Sequence, residues 1–422
     1  LELLEGLDIG EEAFETWLRE QRGSFANRIE TLANHDAPMM RINPGSPVSL
    51  VLVPPVVDDN PSAGVLAQTL QDMIGQSLAE CSDIMIRDGR RGESEHAEHS
   101  LSLRTFGIGA LSAPALRVTL SNDPDIRTIW SQTTQDAEPG PLDDRCEFIL
   151  RHVNQAVSVT IDNFLKTSAA GVVDDRSAAA MLCFIGIQHF YKLGRRNFQI
   201  ADEKFEQAYA RHQSGVYLAW RAYLRTFLVA ERLCDCRQTA IDESRQMIAN
   251  ARELEPNNSL VCAFAANVEI MMNRSYPAAL ELAKRSVHLN KANAIGWALL
   301  GIAQAHLGDP KAGFQNTQFA CQIGGVTPYR FHLDGLNCIA GTLAGQLDDA
   351  VRAGETSHAL SPTFPLAMRY LAVLYLQRGE AERSWTMVEQ LQKTEPDFSY
   401  DKLADSSYPV AGLRLSLIHI SE

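Results

Sequence analysis

Apolar positions along this chain change their spacing several times, and each change marks a new kind of element. Near the start, Phe14, Trp17, Leu18, Phe25 and Ile29 recur at helical intervals, behind Gly10 and the acidic Glu11, Glu12 and Glu15 that suit a positive helix N-terminus. This predicts a helix within 1–32, followed by a Pro- and Gly-bearing linker over 33–46. A continuous apolar run then spans 48–53 and stops at Pro54-Pro55, as a buried strand would. Leu66, Leu70, Met73, Ile74 and Leu78 return to a helical stripe, and 83–86 reads as a second strand. Residues 101–106, 116–120 and 126–130 alternate with a period of two between turn signals at Pro114 and Asn122-Asp-Pro124. The order is strand, helix, then four strands. It predicts an α/β domain over 47–135, a small mixed sheet with one helix. A linker and a connecting helix from Asp143 to about Leu165 occupy 136–176.

From Ser177 onward the helical spacing is sustained, and specific residues recur at a longer interval. Pro362 and Pro396 are 34 apart, as are Gly345 and Gly379, Ala279 and Gly313, and Arg274 and Gly308. That period resembles tetratricopeptide (TPR) repeats, helix pairs that bury a continuous core only by stacking on their neighbours. Six pairs are expected over 177–398, forming an all-α superhelix. Tyr276, Ala279, Ala283 and Ser286 supply small facing residues and an aromatic in one second helix. Trp297, Leu300 and Gly301 open the following pair, and Ala201, Phe205 and Ala208 carry the same core in the first. The second pair is long between Trp220 and Pro256, which predicts an insertion near Cys234 to Arg237. Residues 399–414 form a tail.

The bulk numbers narrow the function. The chain has 422 residues, 45% hydrophobic and 21% charged, with a net charge of −14. An acidic chain is a poor nucleic-acid ligand, since phosphate contacts need clustered Lys and Arg. The cysteines are scattered, most in apolar helical stretches such as Cys183 and Cys262, which suits reduced core thiols and a cytoplasmic protein. Cys234 and Cys236 form a tight pair without further ligands at metal-binding spacing. His96 and His99, with Glu95 and Glu98, sit in a polar stretch and read as a solvated loop. Gly107-Ile-Gly109 reads as a turn, and Asp143-Asp144 as a helix start. No Gly-x-Ser-x-Gly, P-loop or His-Glu-x-x-His pattern occurs. The expectation is therefore no enzyme, no cofactor, no metal and no membrane span. The repeat half should serve contact rather than turnover, with no buried cluster of titratable groups. His306, His332, Arg369 and Gln377 are the candidate lining of the concave groove, where a protein or peptide would bind.

Two stretches outside the repeats resemble known families. Leu3-Leu-Glu-Gly-Leu-Asp8 with Glu12-Ala-Phe-Glu-Thr-Trp-Leu-Arg-Glu-Gln-Arg22 resembles the start of the bacterial transcriptional activator domain, with Gly6, Leu7, Asp8, Phe14, Trp17 and Leu18 as the motif. In SARP-type regulators this segment follows an OmpR-like winged helix. The resemblance implies DNA binding only through a domain ahead of Leu1. Val51-Leu-Val-Pro54, the helix over 66–74, Arg117-Val-Thr-Leu120 and Ile129-Trp130 resemble the TolB-like domain that precedes TPR arrays in bacterial regulators and class III adenylate cyclases, and Asp405-Ser-Ser-Tyr-Pro-Val410 is similar to the tail of that group. The last eight residues, 415–422, resemble a translated sequencing-library adapter and are set aside from the fold. The resemblances imply the non-catalytic sensor portion of a bacterial transcriptional regulator, in which ligand binding shifts the state passed to the DNA reader. The rivals are the regulatory tail of a class III cyclase and a plain TPR scaffold.

Overall fold

The structure is a computed structural model. It describes residues 49–52, 61–89, 100–108, 113–122, 125–133, 147–167, 174–405 and 408–420. The segment 1–32, His96 and His99, and Asp143-Asp144 lie outside the described residues.

The sheet has five strands in the order β2-β1-β3-β4-β5: β1 (Ser49–Leu52), β2 (Met85–Asp88), β3 (Ser100–Ile108), β4 (Ala113–Asn122) and β5 (Asp125–Thr133). β1 runs parallel to β2 and β3, and β3, β4 and β5 form an antiparallel meander. Gly107 faces Pro114 across the β3–β4 ladder, so the turn expected at Gly107-Ile-Gly109 is strand as far as Ile108. Helix α1 (Pro61–Ser82) joins β1 to β2. Leu70, Ile74 and Leu78 are buried in one cluster with Leu50, Leu52 and Ile84. The second strand starts at Met85 rather than Asp83. Asp83 takes a left-handed φ of 56° and its carboxylate bonds Arg176 at 2.6 Å and His212 at 2.9 Å, which ends α1 instead of extending the sheet.

α2 (Glu147–Thr167) leads to six antiparallel helix pairs. They are α3 (Asp175–Phe190) with α4 (Arg195–Arg211), α5 (Gly215–Ala230) with α6 (Arg237–Leu254), and α7 (Ser259–Val268) with α8 (Tyr276–Leu289). They continue with α9 (Ala294–His306) and α10 (Pro310–Ile323), α11 (Arg330–Leu343) and α12 (Leu347–Leu360), and α13 (Pro365–Gln377) and α14 (Ala381–Gln392). This is a TPR-like stack, mostly helical as the repeat period implied. Its core is continuous because each first helix is buried nearly all round, as in α9, while each second helix buries a single stripe such as Ala279, Ala283 and Ser286 of α8. Small residues allow the closest approach. A Cβ on Gly301 of α9 would stand 2.4 Å from the Gly313 carbonyl oxygen of α10. Aromatic rings fill the wider gaps, with Tyr223 stacked on Phe264 at 4.0 Å between the second and third pairs.

The recurring positions 274, 308, 345 and 379 are the turns inside the pairs. Arg274, Gly308, Gly345 and Gly379 all have φ between 52° and 94°. At the last three the next residue donates to a carbonyl five positions back: Asp309 to Gln304, Gln346 to Gly341 and Glu380 to Tyr375. This is the Schellman ending, which satisfies carbonyls left free at a helix C-terminus. In the third pair the equivalent bond, Ser275 to Glu269, spans six positions, because a π turn over Glu269–Asn273 adds a residue. The length of the second pair is carried by its helices, of 16 and 18 residues, and by the 231–236 connection.

A 3-10 turn (Tyr400–Ala404) and α15 (Ala411–Ile420) end the described chain. Among the described residues no helix is long and apolar enough to cross a membrane.

Candidate functional site

The first helices α3, α5, α7, α9, α11 and α13 line the concave side of the array. A side of this kind is commonly an open groove; here its two ends meet. Tyr223 of α5 hydrogen-bonds His332 Nε2 of α11 at 2.9 Å. Arg369 Nη1 of α13 donates to the carbonyl of Ala230, the last residue of α5, at 2.9 Å. Arg232, in the turn after α5, makes two bonds of 2.9 Å to Asp397 beyond α14. Tyr191 of the first pair lies 5.4 Å, ring to ring, from Tyr329 just before α11. The first two pairs therefore touch the last two directly, and the superhelix is shut.

Non-repeat segments close the same side. The free carbonyls at the C-terminus of α1 are each met by an array side chain: Glu80 by Asn258 at 3.0 Å, Cys81 by Trp220 at 2.9 Å and Ser82 by Tyr217 at 2.9 Å. The Glu80 carboxylate also takes bonds from Ser259 and from Asn290. α2 is tied to the fourth pair by Asn154, which donates to the Ala292 carbonyl at 2.9 Å. At the opposite end Tyr408 donates to Glu395 at 2.6 Å, and Arg414 bonds the carbonyls of Asp405 and Tyr408.

Two cavities lie inside this closure. The first, about 410 Å³, lies among α1, α2 and the early first helices. Val157, Ile161, Ile187, Leu260 and Ile295 give it apolar walls, with Tyr191, Asn290 and Asn293 at its polar points. The second, about 150 Å³, lies between α5, the π turn, α9, α11, α13 and the tail. Its walls are mainly apolar, including Phe227, Ile302, Leu336 and Phe364, and four arginines line it: Arg237, Arg274, Arg369 and Arg414.

Three buried polar atoms on the second cavity have no hydrogen-bond partner among the described residues: Glu231 Oε1, His332 Nδ1 and Arg369 Nε. The residues carrying them are 8%, 5% and 2% exposed, so solvent does not satisfy them. Each such atom costs roughly 1–3 kcal/mol unless something meets it. Burial pushes the Glu231 carboxyl up to about 8, against the pull of the Arg369 charge. At neutral pH it is mostly protonated. Burial also holds the His332 imidazole down at about 3, so it is neutral. Arg369 is ion-paired with the buried Glu395.

This corrects one expectation: the array does contain a buried titratable cluster. Arg369, Glu395 and Tyr408 form it, with the exposed Arg232 at its rim and the Arg369 guanidinium 5.1 Å from the Tyr408 ring centroid. Its members pair with one another across the closure, an arrangement that locks helices together.

His306, His332 and Arg369 line the second cavity, while Gln377, at the far end of α13, lines neither. His306 bonds the Ile302 carbonyl at 2.9 Å and stacks on Tyr276 at 4.2 Å, and burial lowers its pKa. Sequence reasoning passed over Glu231. Its signal was an acidic residue at the C-terminal end of an apolar helix, where the helix dipole disfavours a negative charge. Cys236 is an exposed free thiol, and among the described residues no group of three or more potential ligands stands ready for a metal.

The class defined by this geometry is a TPR-like array with a closed concave face. No family model matches the sequence, and no curated protein matches it. Solved structures of helical-repeat proteins superpose on it at low identity. The APC/C hetero-tetramer Cut9-Hcn1 gives 13% identity and a TM-score of 0.42, covering 63% of this chain and 48% of that one. The human IFIT1 dimer with m7Gppp-AAAA gives 14% and 0.42, covering 65% and 66%. YrrB, described as a TPR protein with an unusual peptide-binding site, gives 15% and 0.29, covering 52% and 100%. The chain thus spans about half the length of the Cut9-Hcn1 chain it matches.

Proposed function

We propose that this chain is a non-catalytic binding module that senses a small ligand inside its closed array. The reading rests on one observation: the concave side is shut by direct contacts between its ends, yet encloses cavities lined by unpartnered buried polar atoms. A peptide would need these contacts to part before it could lie in the groove. A small molecule meets the unpartnered atoms without that opening being permanent. Binding would then alter how firmly the two ends of the array hold together, a population shift between closed and open forms.

The finer reading is a cytoplasmic bacterial transcriptional regulator. The Gly6 to Arg22 segment resembling the activator domain supports it, as does the β1-α1-β2-β3-β4-β5 order, which agrees with a TolB-like domain. In that arrangement α1, plugged by its C-terminus into the array, carries the closed or open state toward the α/β part. DNA contact would fall to a winged helix ahead of Leu1.

Thermal-shift screening separates the readings. Small metabolites that raise the melting temperature without being consumed support the sensing module. Stabilisation by peptides alone, with hydrogen exchange rising at Tyr223 and Ala230 on binding, would replace it with an open scaffold.

A further inference from the structure

The first cavity is the larger, about 410 Å³ against about 150 Å³ for the second. An engineered cavity of roughly 150 Å³ accepts benzene, so an occupant here has room for about 15 non-hydrogen atoms. Three parts of the molecule wall it. α1 contributes Ser77 and Cys81, α2 contributes Val157 and Ile161, and the array contributes Leu260 and Ile295. Three aromatic side chains, Tyr191, Trp220 and Tyr329, complete the lining.

Most polar groups on this lining already have partners. Trp220 Nε1 donates to the Cys81 carbonyl at 2.9 Å, and the Tyr329 hydroxyl donates to Asn154 at 3.3 Å. Asn290 donates to Ser77 and Glu80, and Asn293 to Ser259 and Ser286. The Tyr191 hydroxyl is different. It has no partner among the described residues, and Tyr191 is only 8% exposed. A ligand hydroxyl or carbonyl would supply the bond it lacks. The charges are occupied too. The Glu80 carboxylate accepts from three neutral donors, Gln76, Ser259 and Asn290. Asp162 and the exposed Lys192 carry opposite signs. A charged ligand would leave water and meet no unbonded counter-charge inside, which is costly.

Resting on the sensing reading above, we infer that the cavity between α1, α2 and the array binds an uncharged, mainly apolar molecule carrying one hydroxyl or carbonyl group. The polar group bonds Tyr191, and the body lies on Val157, Ile161, Leu260 and Ile295. Such an occupant touches α1, α2 and the array at once. Binding therefore ties the two non-repeat helices to the repeats.

Calorimetric titration of the whole chain tests this with four compounds on one body: 4-biphenylmethanol, 4-methylbiphenyl, biphenyl-4-carboxylate and 4-biphenylmethylamine. The alcohol and the hydrocarbon are expected to bind, and the acid and the amine at least tenfold more weakly. Tyr191→Phe removes no hydrogen bond from the fold and should leave the melting temperature in place. It should weaken the alcohol about fivefold and leave the hydrocarbon unchanged. Val157→Phe fills the cavity from a half-buried position and should weaken both at least tenfold. Bound alcohol should slow hydrogen exchange in α1 near Cys81 and in α2 near Val157. An acid or amine that binds as tightly as the alcohol overturns the inference, as does an unchanged alcohol affinity in Tyr191→Phe. Slowed exchange around Glu231 and Arg369 instead also overturns it. In each of these cases the sensing reading survives, with another ligand or the other cavity. If none of the four binds at its solubility limit the inference fails as well. The sensing reading fails separately, only if the metabolite screen returns peptides alone.

Discussion

The early and late turns of the array meet one backbone requirement with different residues. In the last three pairs the left-handed position is Gly308, Gly345 or Gly379, with φ from 69° to 94°. In the first three a left-handed φ of 52° to 57° falls on Leu193, Arg232 and Arg274. A side chain there costs about 1–2 kcal/mol relative to glycine. The late turns serve only to reverse the chain. The early ones also reach inward: Leu193 is buried in the core, Arg232 bonds Asp397 across the closure, and Arg274 lines the second cavity. The comparison teaches that the array accepts backbone strain at turns whose side chains have a further contact to make, in the core, across the closure or at a cavity.

The strongest way to break the comparison is at the closure itself. Arg369→Met leaves Glu395 buried without its main cationic partner and should lower stability by about 3–5 kcal/mol. A chemical-denaturation midpoint unchanged within error would mean that the ends of the array are held by packing alone. Next comes the regular half. Gly313→Ala puts a methyl 2.5 Å from the Gly301 carbonyl and 2.8 Å from Ala305, which should cost about 1–3 kcal/mol by overpacking.

A pH titration of stability sharpens the picture further. Glu231 keeps its proton up to about 8 when folded, against an ordinary value of 4.5, so folding weakens as pH rises between those limits. His332 stays neutral down to about 3, against 6.5, so folding weakens as pH falls between those. The two slopes oppose each other between 4.5 and 6.5 and leave a plateau there. Glu231→Gln should abolish the fall above 6.5 while leaving the acid limb in place. A symmetrical loss of both limbs would contradict this assignment. The smallest effect expected is at the turns: Gly345→Arg should cost about 1–2 kcal/mol, whereas Arg232→Gly should change stability by less than about 1 kcal/mol, its relief of strain offset by the lost ion pair. A double-mutant cycle of Arg232 with Asp397 measures that offset.

The same contrast explains what was legible in the sequence. The late pairs announced themselves because glycines and prolines recur where the backbone demands them. The early pairs were less regular, because Leu193, Arg232 and Arg274 hide that demand behind ordinary residues. The element order of the sheet followed from the switch between helical and alternating spacing. Closure of the concave side was not legible: Tyr223 to His332 and Arg232 to Asp397 are contacts over more than a hundred residues, and no local spacing encodes them. The buried role of Glu231 was opaque for the same reason, since its environment comes from α13 and the tail rather than from its own helix.

The shut ring also bears on timing. The cavity between Glu231 and Arg369 reaches solvent beside the exposed Arg237 and Arg274, while the contacts of Tyr223 with His332 and of Arg232 with Asp397 restrict the way in. Association should then be slower than in a variant whose Arg232–Asp397 pair is broken. Escape faces the same obstacle, so an occupant that binds only moderately would still linger. Such a module reports the history of its surroundings over its dwell time rather than their momentary composition.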